Sequence, residues 1–393
     1  MEGHFFVLRR TVSRPGCAKK CIFGKTRALM PFRHLPKTLV QQLNPLHPRK
    51  RPVMPYNPVT GSTQRKEAEK VHLRVFNYTP SGCSETVLQD VSEVVPFTEK
   101  ASVSWVCVNG IRRKEVEALC ARYNVDPLIK DDILSMGQRA KMDEIGDILY
   151  CLLPAIYFRN NAVDIEQVSL VLGRNFLLSF GEQAPQDLFE SLRERLRQDN
   201  TRLRSAGADY LLYSLLDTIV DNYFLAMEKL GEVIEDMEDL IPRRPTNRIL
   251  VQVNRMRKEV TMIRRAMSPV RELVNGVLKS ESPLIQKKTG KYFKDVYDHI
   301  IQANDTVESY RDMVMNLQDQ YLNNMNLRMN EVMKVLAVVT TLMAPMTVIA
   351  GIYGMNFDHM PELHTRYGYF ITLGVMGFIL MVMIWIFKRR GWF

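Results

Sequence analysis

The sequence of 393 residues has few of the groups from which enzyme active sites are built. Its six cysteines include no Cys-x-x-Cys pair, which argues against a disulfide framework or a thiolate metal site. A reducing, cytosolic environment fits the soluble part best. The seven histidines are dispersed and form no ligand pair, and no dinucleotide-binding, Walker, nucleophile-elbow or zinc-protease motif occurs. These absences predict that the chain is not an enzyme.

Acidic residues are almost missing from residues 1–66, which carry 14 Lys and Arg against Glu2 alone. The net charge of the whole chain is only +10, so its basic character belongs to this segment. The segment also holds eight of the 19 prolines and lacks periodicity, so we interpret it as a basic disordered extension. A targeting peptide and an arm that contacts lipid or nucleic acid are the alternatives. For the protein as a whole we expect no nucleic-acid partner.

Residues 67–205 predict a cytosolic α/β domain. Runs rich in β-branched and apolar residues predict strands at residues 71–78, 103–108 and 148–153. Residues 168–180 predict a hairpin, because Gly173, Arg174 and Asn175 separate two apolar runs. Helical patterns at residues 113–123 and 187–197 lie between the strands. The predicted fold class is α+β, followed by long helices.

Two long helices are predicted next. The first covers residues 210–240, has an acidic end and stops at Pro242, and a basic helix follows it. We expect the two to pack antiparallel with their opposite charges facing each other.

From residue 291 to residue 344 the chain contains neither proline nor glycine. A helix over these 54 residues would be about 80 Å long, too long for the interior of a small domain. It is therefore predicted to be a stalk, a coiled coil or a helix that enters a membrane. One face carries the apolar residues Phe293, Val296, Ile300, Val307, Tyr310, Val314, Leu317 and Tyr321.

Polar residues recur at heptad spacing along this helix and include five aspartates but no lysine or arginine. Before residue 326, an ordinary solvated face explains the pattern equally well. Beyond it the stripe continues through an apolar run as small and hydroxyl-bearing residues, which indicates a pore or a close helix contact. A strict heptad stripe also needs some supercoil, since a straight helix drifts by ~20° per repeat. Its members near the C-terminal end are Asn330, Met333, Ala337, Thr340, Ala344, Thr347 and Gly351.

Two uncharged apolar runs, residues 335–352 and 367–387, are each long enough to span a bilayer. A short polar connector joins them, and Pro345 is a candidate kink in the first. Lys388, Arg389 and Arg390 follow the second run, so the positive-inside rule places that end in the cytosol. With two spans, the large N-terminal domain is then cytosolic as well. We expect a multi-pass protein of the cell (inner) membrane with both termini in the cytosol.

Residues 353–357 read Tyr-Gly-Met-Asn-Phe and lie at the outer end of the first span. Met-Pro-Glu-Leu at residues 360–363, a second span and a basic C-terminus follow. With this context, residues 70–393 resemble the CorA family of magnesium transporters. The resemblance implies a funnel-shaped homopentamer around a central pore, lined by the first span, with the second span facing lipid.

The resemblance also implies roles for individual residues. Gly354, Met355 and Asn356 would form the selectivity filter at the outer mouth. Met333 and Leu336 would form the inner gate, with Asn330 just inside and Thr347 further out. Ala344 stands where the family commonly has a large apolar residue, so a second hydrophobic constriction does not carry over. Asp132 and Asp295 would bind a regulatory cation between subunits, with Asp131 as a further contributor.

The sequence thus predicts a magnesium channel driven by the membrane potential and gated by cytosolic divalent cation. Mg²⁺ would be both transported and regulatory, with Co²⁺ as a further ion. A cobalt, nickel or zinc transporter of the same architecture and a membrane-anchored scaffold or sensor without transport remain alternatives. The expected partners are divalent cations, the lipid bilayer and copies of the same chain. The predicted regions are 1–66 extension, 67–205 α/β domain, 206–334 stalk, 335–352 first span, 353–366 external loop, 367–387 second span and 388–393 basic end.

Overall fold

The computed structural model describes residues 67–94, 102–159, 162–182, 187–199, 201–243, 246–355 and 366–392. Seven strands form one mixed sheet in the spatial order β2-β1-β3-β7-β6-β5-β4. Only β3 and β7 pair in parallel, whereas the other neighbours are antiparallel. The strands are β1 His72–Thr79, β2 Gly82–Leu88, β3 Val103–Asn109, β4 Lys141–Ile145, β5 Ile148–Arg159, β6 Ala162–Leu172 and β7 Phe176–Gly181.

The predicted strands and the hairpin are confirmed. β6 and β7 pair antiparallel around residues 173–175, where the Gly173 amide donates to the Phe176 carbonyl. The central strands β3 and β5 are buried along nearly their whole length. Helices cover both faces of the sheet, which is why these strands read as continuous apolar runs rather than as alternating ones.

Two short helices, α1 (Arg113–Arg122) and α2 (Pro127–Leu134), pack on one face of the sheet. Asp126 caps α2 by accepting a hydrogen bond from the Leu128 amide at 2.8 Å, and Pro127 occupies its first turn. On the other face, α3 (Glu190–Arg197), α4 (Arg202–Ser205) and the long helices share one apolar core with the strands. The helix predicted over residues 187–197 thus begins slightly later, at Glu190.

Three long helices form the stalk: α5 (Ala208–Arg243), α6 (Asn247–Lys279) and α7 (Lys287–Tyr353). The apolar face predicted for α7 is confirmed, because its residues, such as Phe293 and Ile300, are buried against α5 and α6. The predicted charge pairing of α5 with α6 is wrong, since each packs chiefly along α7. A basic residue of α6, Arg264, instead pairs with Glu308 of α7.

The stalk and the first predicted span are one continuous helix. α7 has 67 residues, about 100 Å, and passes through Pro345 without interruption. A final apolar helix, α8 (Gly368–Arg389), packs beside its C-terminal part. The most apolar 18-residue segment of α7 is 6% buried, and that of α8 is 0% buried. Neither helix is therefore the buried core helix of a soluble fold. Their length and composition suit membrane spans.

Candidate ion pathway and cation-binding sites

The contact between α7 and α8 leaves the predicted pore stripe free. Val338 is buried, and Lys334, Leu342, Pro345 and Ile349 are half-buried, at spacings that define one helix face. The predicted pore residues lie on another face and are exposed within the single chain. They are Asn330, Met333, Leu336, Ala337, Thr340, Ala344, Thr347 and Gly351. The stripe is therefore available to face copies of the same helix.

The stripe combines apolar side chains with oxygen-bearing ones. Met333 is 52% exposed and Leu336 is 65% exposed, so neither packs against its own chain. The hydroxyl of Thr340 donates to the Leu336 carbonyl at 2.8 Å, and that of Thr347 donates to the Met343 carbonyl at 3.0 Å. Since the hydroxyl proton is used in this way, each threonine oxygen keeps its lone pairs for a cation or for a bound water.

Backbone hydrogen bonds end α7 at its C-terminus. The Gly354 amide donates to the Ala350 carbonyl at 2.9 Å, and the Met355 amide donates to the Ile352 carbonyl at 3.2 Å. A Cβ on Gly354 would lie 3.2 Å from the Ala350 oxygen, so the turn is tight enough to favour glycine. Asn356, the third predicted filter residue, lies outside the described residues.

Asp131 and Asp132 lie in the last turns of α2. Asp131 is exposed, whereas the side chain of Asp132 is 17% exposed. Asp132 pairs with Lys141 of β4 at 2.6 Å and accepts a hydrogen bond from Gln138 at 2.8 Å. Gln167 of β6 holds the end of this helix by donating to the carbonyls of Asp132 and Ser135 at 3.3 and 3.0 Å.

Asp295, the other predicted ligand, is exposed in the third turn of α7. Like charges repel, so Asp132 and Asp295 would come close together only with a cation between them. The family resemblance predicts such a cation between two copies of the chain.

A second group of possible cation ligands lies beside Asp295. Asp217 and Asp221 occupy successive turns of α5, and His299 lies one turn after Asp295 on α7. One ligand atom of each of Asp217, Asp221 and His299 can be chosen so that all three lie within 4.8 Å of one another. The Nδ1 atom of His299 is buried and has no hydrogen-bond partner within the described part of the chain.

The carboxylates of Asp217 and Asp221 lie close to each other and to the negative charge of Asp295. Burial and then the charge of Asp221 raise the pKa of Asp217, although a hydrogen bond from Tyr213 opposes the shift. Burial likewise raises the pKa of Asp221, and the charge of Asp295 adds to the increase. Both shifts mean that the folded protein disfavours these charges unless a cation neutralises them.

The donor set fits a divalent cation. Two carboxylates suit Mg²⁺, which keeps several of its waters, and an imidazole also suits Co²⁺, Ni²⁺ or Zn²⁺. The spacing of the histidines gave no signal for this group, because it contains a single histidine. Two pairs at i, i+4 spacing, Asp217 with Asp221 and Asp295 with His299, were the available signal. Only the packing of α5 on α7 brings the two pairs together.

Two unburied apolar helices attached to an α/β domain by one continuous helix define an integral membrane protein with a large soluble part. The family model described as CorA-like Mg²⁺ transporter protein matches residues 100–389. The chain therefore belongs to the CorA-like magnesium transporter family, as its sequence predicted. It is a membrane transporter of metal ions and not an enzyme.

Individual relatives agree with this assignment. The chain is 38% identical over 330 residues to the cobalt/magnesium transport protein CorA of Thermotoga maritima, covering 83% of this chain and 94% of that protein. It is 31% identical over 321 residues to the putative metal ion transporter YfjQ of Bacillus subtilis, covering 81% and 99% of the two chains. The fold is similar to that of the CorA magnesium transporter from Methanocaldococcus jannaschii, with a TM-score of 0.69 and 22% identity, covering 81% and 98% of the two chains.

Proposed function

We propose that the chain is a subunit of a Mg²⁺ channel whose driving force is the membrane potential. The observation that carries this proposal is the face of α7 left uncovered by α8, which bears small, hydroxyl and amide side chains where the helix is otherwise apolar. Such a face suits a water-filled pore between copies of α7. A doubly charged ion gains about 4.6 kcal/mol per 100 mV, so an ATP site is not needed.

The pore is built by a homopentamer, with the α/β domain and both termini in the cytosol. At its outer mouth, amide oxygens of Asn356 accept hydrogen bonds from the waters around Mg²⁺, so the ion enters without losing its shell. Further in, the hydroxyl oxygens of Thr347 and Thr340 replace bulk water. Rings of Leu336 and Met333 then close the pore by dewetting, and Asn330 receives the ion on the cytosolic side.

Cytosolic divalent cation closes the channel by binding between subunits. Asp132 of one subunit and Asp295 of the next share the cation, with Asp131 nearby. Asp217, Asp221 and His299 provide a second position within the same chain. When cytosolic Mg²⁺ falls, the uncompensated carboxylates repel one another, and the contacts that hold the closed state weaken.

Co²⁺ is the second candidate for transport and regulation. The imidazole of His299 among the carboxylates favours it, because Co²⁺ takes nitrogen ligands more readily than Mg²⁺ does. The relative from Thermotoga maritima carries both metals in its name.

The test is ion flux into liposomes that hold a Mg²⁺-sensitive dye, under an inside-negative potential. Wild type is compared with Asn356→Ala and with the matched control Asn254→Ala on the exposed side of α6. We expect flux that Asn356→Ala abolishes and Asn254→Ala leaves unchanged. Flux that persists in Asn356→Ala would remove Asn356 as the filter. Transport of Co²⁺ or Zn²⁺ without Mg²⁺ would change the assigned ion, and an intact oligomer that passes no ion would favour a scaffold.

A further inference from the structure

Both carboxylate oxygens of Asp132 are already engaged within its own chain. Oδ1 accepts a hydrogen bond from Nε2 of Gln138 at 2.8 Å. Oδ2 lies 2.6 Å from the ammonium nitrogen of Lys141. A divalent cation that binds this carboxylate would meet the positive charge of Lys141 already paired with it.

Lys141 holds a position that resembles that of a bridging cation. Lys141 is the first residue of β4, the strand at one edge of the sheet. Its pairing opposite Leu152 of β5 fixes the position of its backbone. Its ammonium group lies between two carboxylates, at 2.6 Å from Asp132 and 3.1 Å from Asp143. A divalent cation would occupy the same kind of position with twice the charge.

We propose that Lys141 competes with the regulatory cation for the carboxylate of Asp132. The ammonium group of Lys141 pairs with Asp132 when the cation is absent and moves away when the cation binds. This inference rests on the proposed regulatory role of Asp132. The competition lowers the apparent affinity in proportion to the fraction of time that the carboxylate is free. The strength of one ion pair within the chain thus sets the cytosolic Mg²⁺ concentration at which the channel closes.

The geometry allows the exchange. The side chain of Lys141 is 36% exposed, so its ammonium can move into water on a flexible four-carbon stem. Asp143 is 40% exposed and stays beside Lys141, so the ammonium keeps a partner after it leaves Asp132. Ion pairs at partly exposed sites are weak, so a cation at physiological concentration can displace this one.

The experiment measures thermal unfolding of the full-length oligomer in detergent against MgCl₂ at constant ionic strength. Four variants are compared with wild type: Lys141→Met, Lys141→Arg, Lys130→Met and Asp132→Asn. Lys130→Met is the matched control, because it removes an equal charge from the helix that carries Asp132. The readout is the Mg²⁺ concentration equal to the apparent Kd, obtained by fitting the stabilisation at each Mg²⁺ concentration as RT ln(1 + [Mg²⁺]/Kd), which does not depend on the absolute stability of a variant.

We expect Lys141→Met to lower this concentration roughly two- to fivefold, the upper part of the range measured for ion pairs at partly exposed sites. Lys141→Arg should leave it unchanged or raise it, because arginine keeps the charge and pairs with a carboxylate through two hydrogen bonds. Lys130→Met should shift it by less than twofold. If Lys141→Met does not fold, an increase for Lys141→Arg still supports competition, and a decrease overturns it.

Three results would overturn the inference in distinguishable ways. If Asp132→Asn loses part of the Mg²⁺ response while Lys141→Met titrates like wild type, Asp132 binds the cation but Lys141 does not compete. If Asp132→Asn responds to Mg²⁺ as wild type does, the regulatory role of Asp132 is wrong as well. Equal shifts for Lys141→Met and Lys130→Met would indicate a general charge effect and no occupancy of Asp132 by Lys141.

Discussion

The carboxylate of Asp209, at the start of α5, accepts a hydrogen bond from the hydroxyl of Thr289 in the first turn of α7 at 2.6 Å. The same carboxylate accepts from the Gln286 amide, at the N-cap of α7, at 3.1 Å. Asp209 and Thr289 are each 1% exposed. A residue of one stalk helix therefore caps the N-terminus of the helix that continues into the membrane.

Replacing Asp209 with alanine should destabilise the protein by roughly 2–3 kcal/mol, because it leaves buried donors of α7 without an acceptor. Asp209→Asn should lose less, since its amide oxygen can still accept one hydrogen bond. The measurement is thermal unfolding of the detergent-solubilised protein. If Asp209→Ala unfolds at the wild-type temperature, the cap does not stabilise the stalk.

Gly231 of α5 packs against the side chain of Tyr310 of α7. A Cβ at this position would lie 2.5 Å from the hydroxyl oxygen of Tyr310 and 3.0 Å from its ring carbon Cζ. We expect Gly231→Ala to destabilise the protein by roughly 1–3 kcal/mol through this overlap. Tyr310→Phe should restore part of the loss in the double variant, because it removes the nearer atom.

The control for this prediction is Gly290→Ala in the first turns of α7, where an added Cβ meets no atom within 4 Å. That variant should be neutral or slightly stabilising, since alanine favours a helix over the unfolded chain. Equal thermal midpoints for Gly231→Ala and Gly290→Ala would contradict the proposed overlap with Tyr310.

Glu166 on β6 should make stability depend on pH. Burial, and next the charge of Glu182, raise its pKa from 4.5 to about 7, although the charge of Arg159 opposes the shift. The folded protein then binds a proton that the unfolded chain releases between these two values. Stability should therefore fall as pH rises from about 4.5 to about 7, by on the order of 2–3 kcal/mol, and stay level above that.

Glu166→Gln removes this titration and should be more stable than wild type at pH 8, with the difference shrinking towards pH 5. Glu194→Gln, on the exposed side of α3, is the control and should follow the wild-type profile. The check is the thermal midpoint of each protein between pH 5 and pH 8. Parallel profiles for wild type and Glu166→Gln would show that Glu166 is ionised throughout.

Leu336 should control whether the closed pore excludes water. Replacing it with asparagine places polar groups at the proposed constriction, so ions should pass at millimolar cytosolic Mg²⁺, a concentration at which the proposed mechanism closes the wild-type channel. Leu336→Ile keeps an apolar side chain of equal volume and should close like wild type. The comparison is liposome flux with and without Mg²⁺ on the cytosolic side. Full closure of Leu336→Asn would assign the constriction to other residues.

Local patterns predicted much of the architecture. Apolar runs at two-residue and helical spacing placed β1, β3, β5 and the buried face of α7, because burial on one face repeats with the period of the element itself. Two further runs, too long and too apolar for a soluble domain, gave the spans. The pairing of α5 with α6 was predicted wrongly, because opposite charge gives little information about which helix lies between two others.

The sequence by itself indicated one long helix that leads into an apolar span, since residues 291–344 contain no proline or glycine and an uncharged run of membrane-spanning length begins within them. It also contained the heptad stripe and the Gly-Met-Asn motif that follows the first span. Only the tertiary structure decided that His299 meets Asp217 and Asp221, and that Lys141 pairs with Asp132. Those contacts depend on the register of one packed element against another, which is set by the shape of the whole core and not by the spacing within any single segment.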